Sequence, residues 1–167
     1  METVRGSILT ETGWVTGDLG FGRCVDRIEG RPTEAPKPPF VLPGFVDLHV
    51  HGGGGEDMMA GAEAIRTAAR LHARHGTTSM LATSVTAPFT EIERFLGAVD
   101  AAMAAHWPDA ARVLGAHLEG PFLNPDKLGA QPDFAVAADL DALRRWLTLA
   151  PVRVMTLAPE MDPDDRV

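Results

Sequence analysis

The first part of the chain reads as short strands punctuated by glycine. Ser7-Ile8-Leu9-Thr10 is strand-like, Glu11-Thr12-Gly13 has turn chemistry, and Trp14-Val15-Thr16 is a second strand. Cys24-Val25-Asp26-Arg27-Ile28 alternates apolar and charged residues, which predicts a half-buried strand. The stretch from Gly30 to Pro39 then holds Pro32, Pro36, Pro38 and Pro39, which fix φ and remove backbone donors. It predicts a linker, with a small β region over 1–40 and a second domain over 41–167.

The pattern changes after the linker. Phe45 to His51 predicts a strand running into Gly52-Gly53-Gly54-Gly55. Ala60 to His75 is an alanine-rich helix, with Ile65, Ala68, Ala69 and Leu71 at helical spacing, and it stops at Gly76. Thr77 to Thr86 is a β-branched strand. A second helix opens near Thr90, a plausible N-cap, and runs to about His106. Arg112 to Leu118 is a third strand. A helix spans about Ala137 to Leu149, and Val152 to Leu157 is a fourth strand. Asp162-Pro163-Asp164-Asp165 reads as the opening of a further helix. Strands alternating with helices predict an α/β fold of parallel βαβ units. The near-continuous apolar character of the strands predicts that both faces of the sheet are covered.

Composition narrows the function classes. Of 167 residues, 45% are hydrophobic and 23% charged, the balance of an ordinary globular protein. Lys and Arg number 15 against 23 Asp and Glu, a net charge of −8, with no basic run. That argues against gripping nucleic acid through its phosphates, and against an anionic membrane surface. No apolar run approaches the roughly 20 residues that span a bilayer. The N-terminus lacks the basic-then-apolar order of a secretion signal, and the lone Cys24 suits a reducing cytoplasm. Cys24 and the pair Met58-Met59 read as packing. His72, His75 and His106 read as surface or helix-end residues.

The strongest chemical signal is His49-Val50-His51. On a strand, positions i and i+2 share a face, so two imidazoles leave the strand end together, where parallel α/β folds place their sites. Neutral imidazole is a common ligand for Zn²⁺ and similar ions. His117 and Glu119 share a face in the same way at the end of the third strand. A carboxylate there is costly unless it is metal-bound or paired with an arginine, and the metal reading is the stronger. Asp47 reads as a structural acceptor. The loop from Phe122 to Phe134 offers Asn124, Lys127, Gly129, Ala130 and Gln131 to a polar ligand, although composition alone favours an ordinary surface loop with a salt-bridging lysine.

Leu42-Pro43-Gly44-Phe45-Val46-Asp47-Leu48-His49-Val50-His51-Gly52 resembles the first barrel strand of the amidohydrolase superfamily. His117-Leu118-Glu119-Gly120-Pro121-Phe122-Leu123-Asn124 and Lys127-Leu128-Gly129-Ala130 are narrower signals. With Thr156-Leu157-Ala158-Pro159-Glu160 and His75-Gly76-Thr77-Thr78, they resemble the N-acetylglucosamine-6-phosphate deacetylase family. The resemblance implies a (β/α)₈ TIM barrel, of which this chain holds about the first four strands. They are preceded by part of a small β-sandwich. It implies metal-dependent hydrolysis of the N-acetyl group of an amino-sugar phosphate, giving glucosamine 6-phosphate and acetate.

By the same resemblance Glu119, His49 and His51 are metal ligands, and Ala130 and Gln131 face the sugar. Histidine is frequent in the family where Gln131 stands. The ion is divalent: zinc first, with iron, manganese or cobalt also suited by ligand type. The catalytic aspartate and the remaining histidines of the family belong to later strands, so no catalytic residue is assigned here and this chain is expected to be inactive alone. A homo-oligomer and a complementing C-terminal chain are the partners the resemblance suggests. Relatives that bridge two metals use a lysine at the end of strand four. The lysines here are Lys37 and Lys127, neither of them there, which weighs against an amidohydrolase acting on a cyclic amide. A non-catalytic half-barrel that needs a second chain is the other alternative.

Overall fold

The computed structural model describes residues 2–164 and 166–167. The chain divides into two compact units, Met1–Pro43 and Gly44–Val167.

The first unit is a four-stranded sheet of β1 (Glu2–Thr10), β2 (Gly13–Phe21), β3 (Val25–Pro32) and β4 (Phe40–Val41), in the order β3-β2-β1-β4. β1 and β2 form a hairpin in which Thr10 lies opposite Gly13. The Thr10 hydroxyl donates to the Gly13 carbonyl at 2.7 Å and so closes the turn. β3 lies antiparallel to β2, and β4 parallel to β1.

Two expectations change here. The strand around Cys24 is not half-buried: every residue of β3 is exposed, and Cys24 itself is exposed rather than packed. β3 is an edge strand, so alternation alone does not bury a face. The proline-rich stretch is also not a free linker. Ser7 Oγ donates to the Lys37 carbonyl at 2.7 Å and accepts the Lys37 N–H at 2.9 Å, while the Ser7 N–H reaches the Pro39 carbonyl at 2.9 Å. Ser7, 2% exposed, thereby pins the prolines along β1.

In the second unit β5 (Phe45–Val50) leads into a small hairpin of β6 (Gly52–Gly53) and β7 (Glu56–Asp57). Helix α1 (Ala62–Arg74) follows, then β8 (Thr77–Thr83), α2 (Phe89–Ala104), β9 (Arg112–Glu119), α3 (Leu140–Trp146) and β10 (Val152–Thr156). The four long strands are parallel and lie in chain order, β10-β9-β8-β5. This is the repeating strand-helix plan of a (β/α)₈ barrel over four of its strands.

α1 and α2 bury Ile65, Ala68, Ala69, Ile92, Phe95, Leu96 and Val99 against Met80, Ala82, Val113 and Leu118 of the central strands. Trp146 of α3 is fully buried, stacked on Phe122 and edge-on to Phe89. β8 and β9 are largely buried, as their apolar runs predict, but the outer strands are not: Phe45 and Leu48 of β5 are 62% and 55% exposed. Coverage of both faces therefore holds for the two central strands alone.

Helix boundaries differ in instructive ways. α2 is capped at Pro88 and not at Thr90. Pro88 has no side-chain acceptor, but its carbonyl takes the N–H groups of Glu91 and Ile92, and its fixed φ starts the helix two residues early. α3 starts later than expected because the Asp139 carboxylate caps the N–H groups of Asp141 and Ala142, both at 2.9 Å, and it ends earlier, at Trp146. The stretch expected to open a further helix, from Asp162, is not helical over Asp162 to Asp164 and follows a short 3-10 turn at Pro159–Met161. Asp162 is buried there and accepts the Val167 N–H at 2.8 Å. Asp165, the last residue of that expectation, lies outside the described residues.

Candidate metal centre

β5 delivers His49 and His51 to the C-terminal edge of the sheet. The ladder with β8 breaks between Asp47 and Val50, and the Val50 N–H is taken by Thr83 Oγ1 at 2.9 Å. Asp47 accepts the His49 N–H at 3.1 Å, the structural role expected of it. Beyond His51 the chain doubles back at once. The His51 carbonyl accepts the Met58 N–H at 2.8 Å, and the β6–β7 hairpin brings Glu56 so close that a Cβ on Gly52 would stand 2.1 Å from its carbonyl oxygen. His72 is not a bystander on α1: its Nε2 donates to the Gly52 carbonyl at 3.0 Å and ties the turn to the helix.

β9 delivers Glu119. Its main-chain N–H is held by Ser84 Oγ at 3.2 Å, and the following Gly120 N–H by the Thr156 carbonyl at 3.1 Å. The carboxylate faces β5, with Glu119 Oε2 3.0 Å from His51 Nε2. Its partner at ion-pair distance among the described residues is this histidine and no arginine. Ligating atoms of His49, His51 and Glu119 all lie within 4.8 Å of one another. The His49 and His51 rings meet edge to face at 4.9 Å.

His117 shares the face of Glu119, as parity predicts, but forms the floor of the site. Its Nδ1 lies 3.0 Å from the Leu48 carbonyl, which can only accept, so Nδ1 carries the proton. The same Nδ1 is 3.4 Å from His49 Nδ1. His117 Nε2 is then the acceptor of the Thr156 hydroxyl at 2.8 Å. Burial pushes the His117 imidazole below its ordinary range, with the Leu48 hydrogen bond acting the other way and the neighbouring His49 adding to the fall.

The loop residues separate. Gln131 reaches the site: Nε2 donates to Glu119 Oε2 at 2.6 Å, and Oε1 accepts the Thr86 N–H at 2.7 Å. Ala130 is exposed. Asn124 works inside the fold. It caps the turn at Asp126 and donates to Glu160 Oε1 at 2.8 Å, holding that carboxyl below its usual range. Two stretches far apart in sequence are thereby joined, and the Ala158 N–H also bonds the Phe122 carbonyl at 2.8 Å. Sequence reasoning missed Ser84, Thr83 and Thr156 as supports, because hydroxyls at strand ends carry no distinctive local pattern.

The donor set suits a borderline divalent ion. Two imidazoles and a carboxylate are the ligand types of zinc-like centres, in which adjacent ligand atoms about 2.0–2.2 Å from the ion stand roughly 3.3 Å apart. The 3.0 Å between His51 Nε2 and Glu119 Oε2 is close to that spacing. His51 Nδ1 is buried without a hydrogen-bond partner.

Residues 40–165 match the amidohydrolase family. N-acetylglucosamine-6-phosphate deacetylase from Lysinibacillus sphaericus is 36% identical over 140 residues, covering 81% of this chain and 34% of that protein. An N-acetylgalactosamine-6-phosphate deacetylase from Escherichia coli O157:H7 is 34% identical over 165 residues, covering 93% of this chain and 43% of that protein. Among solved structures, N-acetylglucosamine-6-phosphate deacetylase from Thermotoga maritima superposes with a TM-score of 0.81 at 27% identity, covering 98% of this chain and 44% of that one. The Mycobacterium smegmatis enzyme gives 0.76 at 30% identity, covering 93% and 46%. A mutant of the latter has been solved with N-acetyl-D-glucosamine-6-phosphate. The chain thus spans between a third and a half of the length of these relatives. With the match running through both the β5 histidines and the β9 glutamate, the chain belongs to the amidohydrolase family.

Proposed function

We propose that this chain is the N-terminal part of a metal-dependent deacetylase that hydrolyses the N-acetyl group of N-acetylglucosamine 6-phosphate to glucosamine 6-phosphate and acetate. The observation that carries this reading is the meeting of His51, Glu119 and Gln131 at the strand ends. It occurs in a chain 36% identical to a deacetylase of that name. In this reading residues 1–40 contribute to a small β-sandwich with its proline-rich connection, and 41–167 form the first half of the barrel. The working compartment is the cytoplasm. The chain covers 34% of the length of the Lysinibacillus sphaericus relative, and the assembled enzyme is a homo-oligomer. No helix of the described residues is long and apolar enough to cross a membrane.

His49, His51 and Glu119 would hold a divalent ion, with zinc favoured over iron, manganese or cobalt. When bound, such an ion activates water and polarises an amide carbonyl. The chain's own residues supply the rest of this half-site. Glu119 carries the negative charge. His117, neutral and bonded on both nitrogens, holds the floor below His49 without competing for the ion. Gln131 keeps one amide N–H beyond the one given to Glu119, and this is the group it offers the sugar, next to the Ala130 backbone.

The test joins this chain to the C-terminal remainder of the Lysinibacillus sphaericus relative and follows amine release. Metal-dependent turnover of N-acetylglucosamine 6-phosphate, lost in Glu119→Gln, is expected, with little from this chain alone. Turnover of a dihydropyrimidine ring instead of the amino sugar would overturn the assignment.

A further inference from the structure

We propose that Gln131 is a positioning residue of the metal centre: its side-chain amide, oriented by the Thr86 main-chain N–H, aims the Glu119 carboxylate at the two histidines. The inference rests on the metal reading above and adds to it a residue that acts through Glu119. A main-chain N–H can only donate, so the atom it meets at 2.7 Å is Gln131 Oε1. That places the NH₂ group 2.6 Å from Glu119 Oε2 and leaves no freedom to flip.

The anchor is firm at every point. Thr86 is buried, and the Gln131 main-chain N–H bonds the Leu128 carbonyl at 3.0 Å, so the residue is held at its backbone as well as at Oε1. Glu119 has its own backbone held by Ser84. Gln131 and His51 then hold the same oxygen, Oε2. Without the amide, one weak and half-exposed pair with His51 would remain to hold a three-torsion side chain.

The chemical type matters. An arginine or lysine at 131 would also hold the carboxylate, but it would neutralise the charge a cation needs. A carboxylate at 131 would set two like charges against each other. A neutral amide supplies one donor to Glu119 and one acceptor to Thr86 and leaves the charge on Glu119 intact. A neutral imidazole offers the same donor and acceptor pair, and is the one other side chain of suitable reach.

The probe is Co²⁺, titrated into this chain in competition with a chromophoric chelator, with its visible absorption recorded. Gln131→Met keeps length and removes both hydrogen bonds. Its dissociation constant is expected to rise about 10–100-fold, the usual loss when an outer partner of a metal ligand is removed, with altered absorption bands. Gln131→His is expected to restore both. In chelator the melting midpoint of Gln131→Met should fall only by the amount that one unpaired buried N–H at Thr86 costs, with Gln131→His recovering it, whereas the altered Co²⁺ absorption bands are a change a merely structural role would not produce. In a Glu119→Gln background the Gln131→Met effect should vanish. Gln131→Met binding Co²⁺ like the parent, while Glu119→Gln binds weakly, would overturn the inference and leave the metal centre standing. Glu119→Gln binding like the parent would overturn the metal centre itself.

Discussion

Glu119→Gln gives a direct measure of the metal centre. The replacement keeps an oxygen to accept from Gln131 but removes the charge that faces His51. In chelator the loss is small. The His51–Glu119 pair has side chains 35% and 22% exposed, so solvent screens it and it contributes about 0.5–1 kcal/mol. For a chain of 167 residues that lowers the melting midpoint by about 1–3 °C. Zinc at about 100 times its dissociation constant stabilises the parent by about 2.7 kcal/mol. That corresponds to about 8 °C. If loss of the carboxylate weakens binding about 100-fold, at least as much as loss of an outer partner, the same zinc concentration supplies about 0.4 kcal/mol. The variant should then shift by about 1 °C. Differential scanning fluorimetry with and without zinc reads both terms separately. A full shift retained by Glu119→Gln would refute the assignment of the carboxylate as a ligand.

Other perturbations test the fold beneath the site. His117 has its imidazole pKa held down by burial, so below about pH 6.5 the unfolded chain takes up a proton that the folded chain resists, and stability falls with acid. Urea unfolding in chelator at pH 7.5 and 5.5 should show this loss, and His117→Asn should reduce it; an equal loss in the variant would assign the acid sensitivity elsewhere. Trp146→Ala should cost about 3–5 kcal/mol by emptying the space against Phe122 and Phe89. Trp146→Phe should cost markedly less, because the buried Nε1–H it removes has no partner, and denaturant midpoints compare the two. Gly115 sits at φ +145°, and a Cβ there would stand 2.4 Å from the Pro151 carbonyl oxygen, so Gly115→Ala should loosen the β9–β10 pairing. Faster amide exchange at Ala116, whose N–H bonds that carbonyl, would report it.

The sequence by itself determined the elements of the second unit and the chemistry at their ends. Ile65, Ala68 and Ala69 announced the buried face of α1 through helical spacing, and a β-branched run announced β8, because those signals are properties of adjacent residues. The parity of His49, His51, His117 and Glu119 was equally local. Tertiary structure decided the rest. Whether an alternating strand is covered depends on what packs on it, so Cys24 and β3 stand exposed and β5 lies open. Whether prolines form a spacer depends on a distant serine, here Ser7 holding Lys37. Most of all, Gln131 meets Thr86 across 45 positions of sequence and Glu119 across 12, and such a contact leaves no period for local reading to detect. Hydrogen bonds have a reach of about 3 Å whatever the length of chain between their partners, so the supports of the site became legible only once the strands were brought side by side.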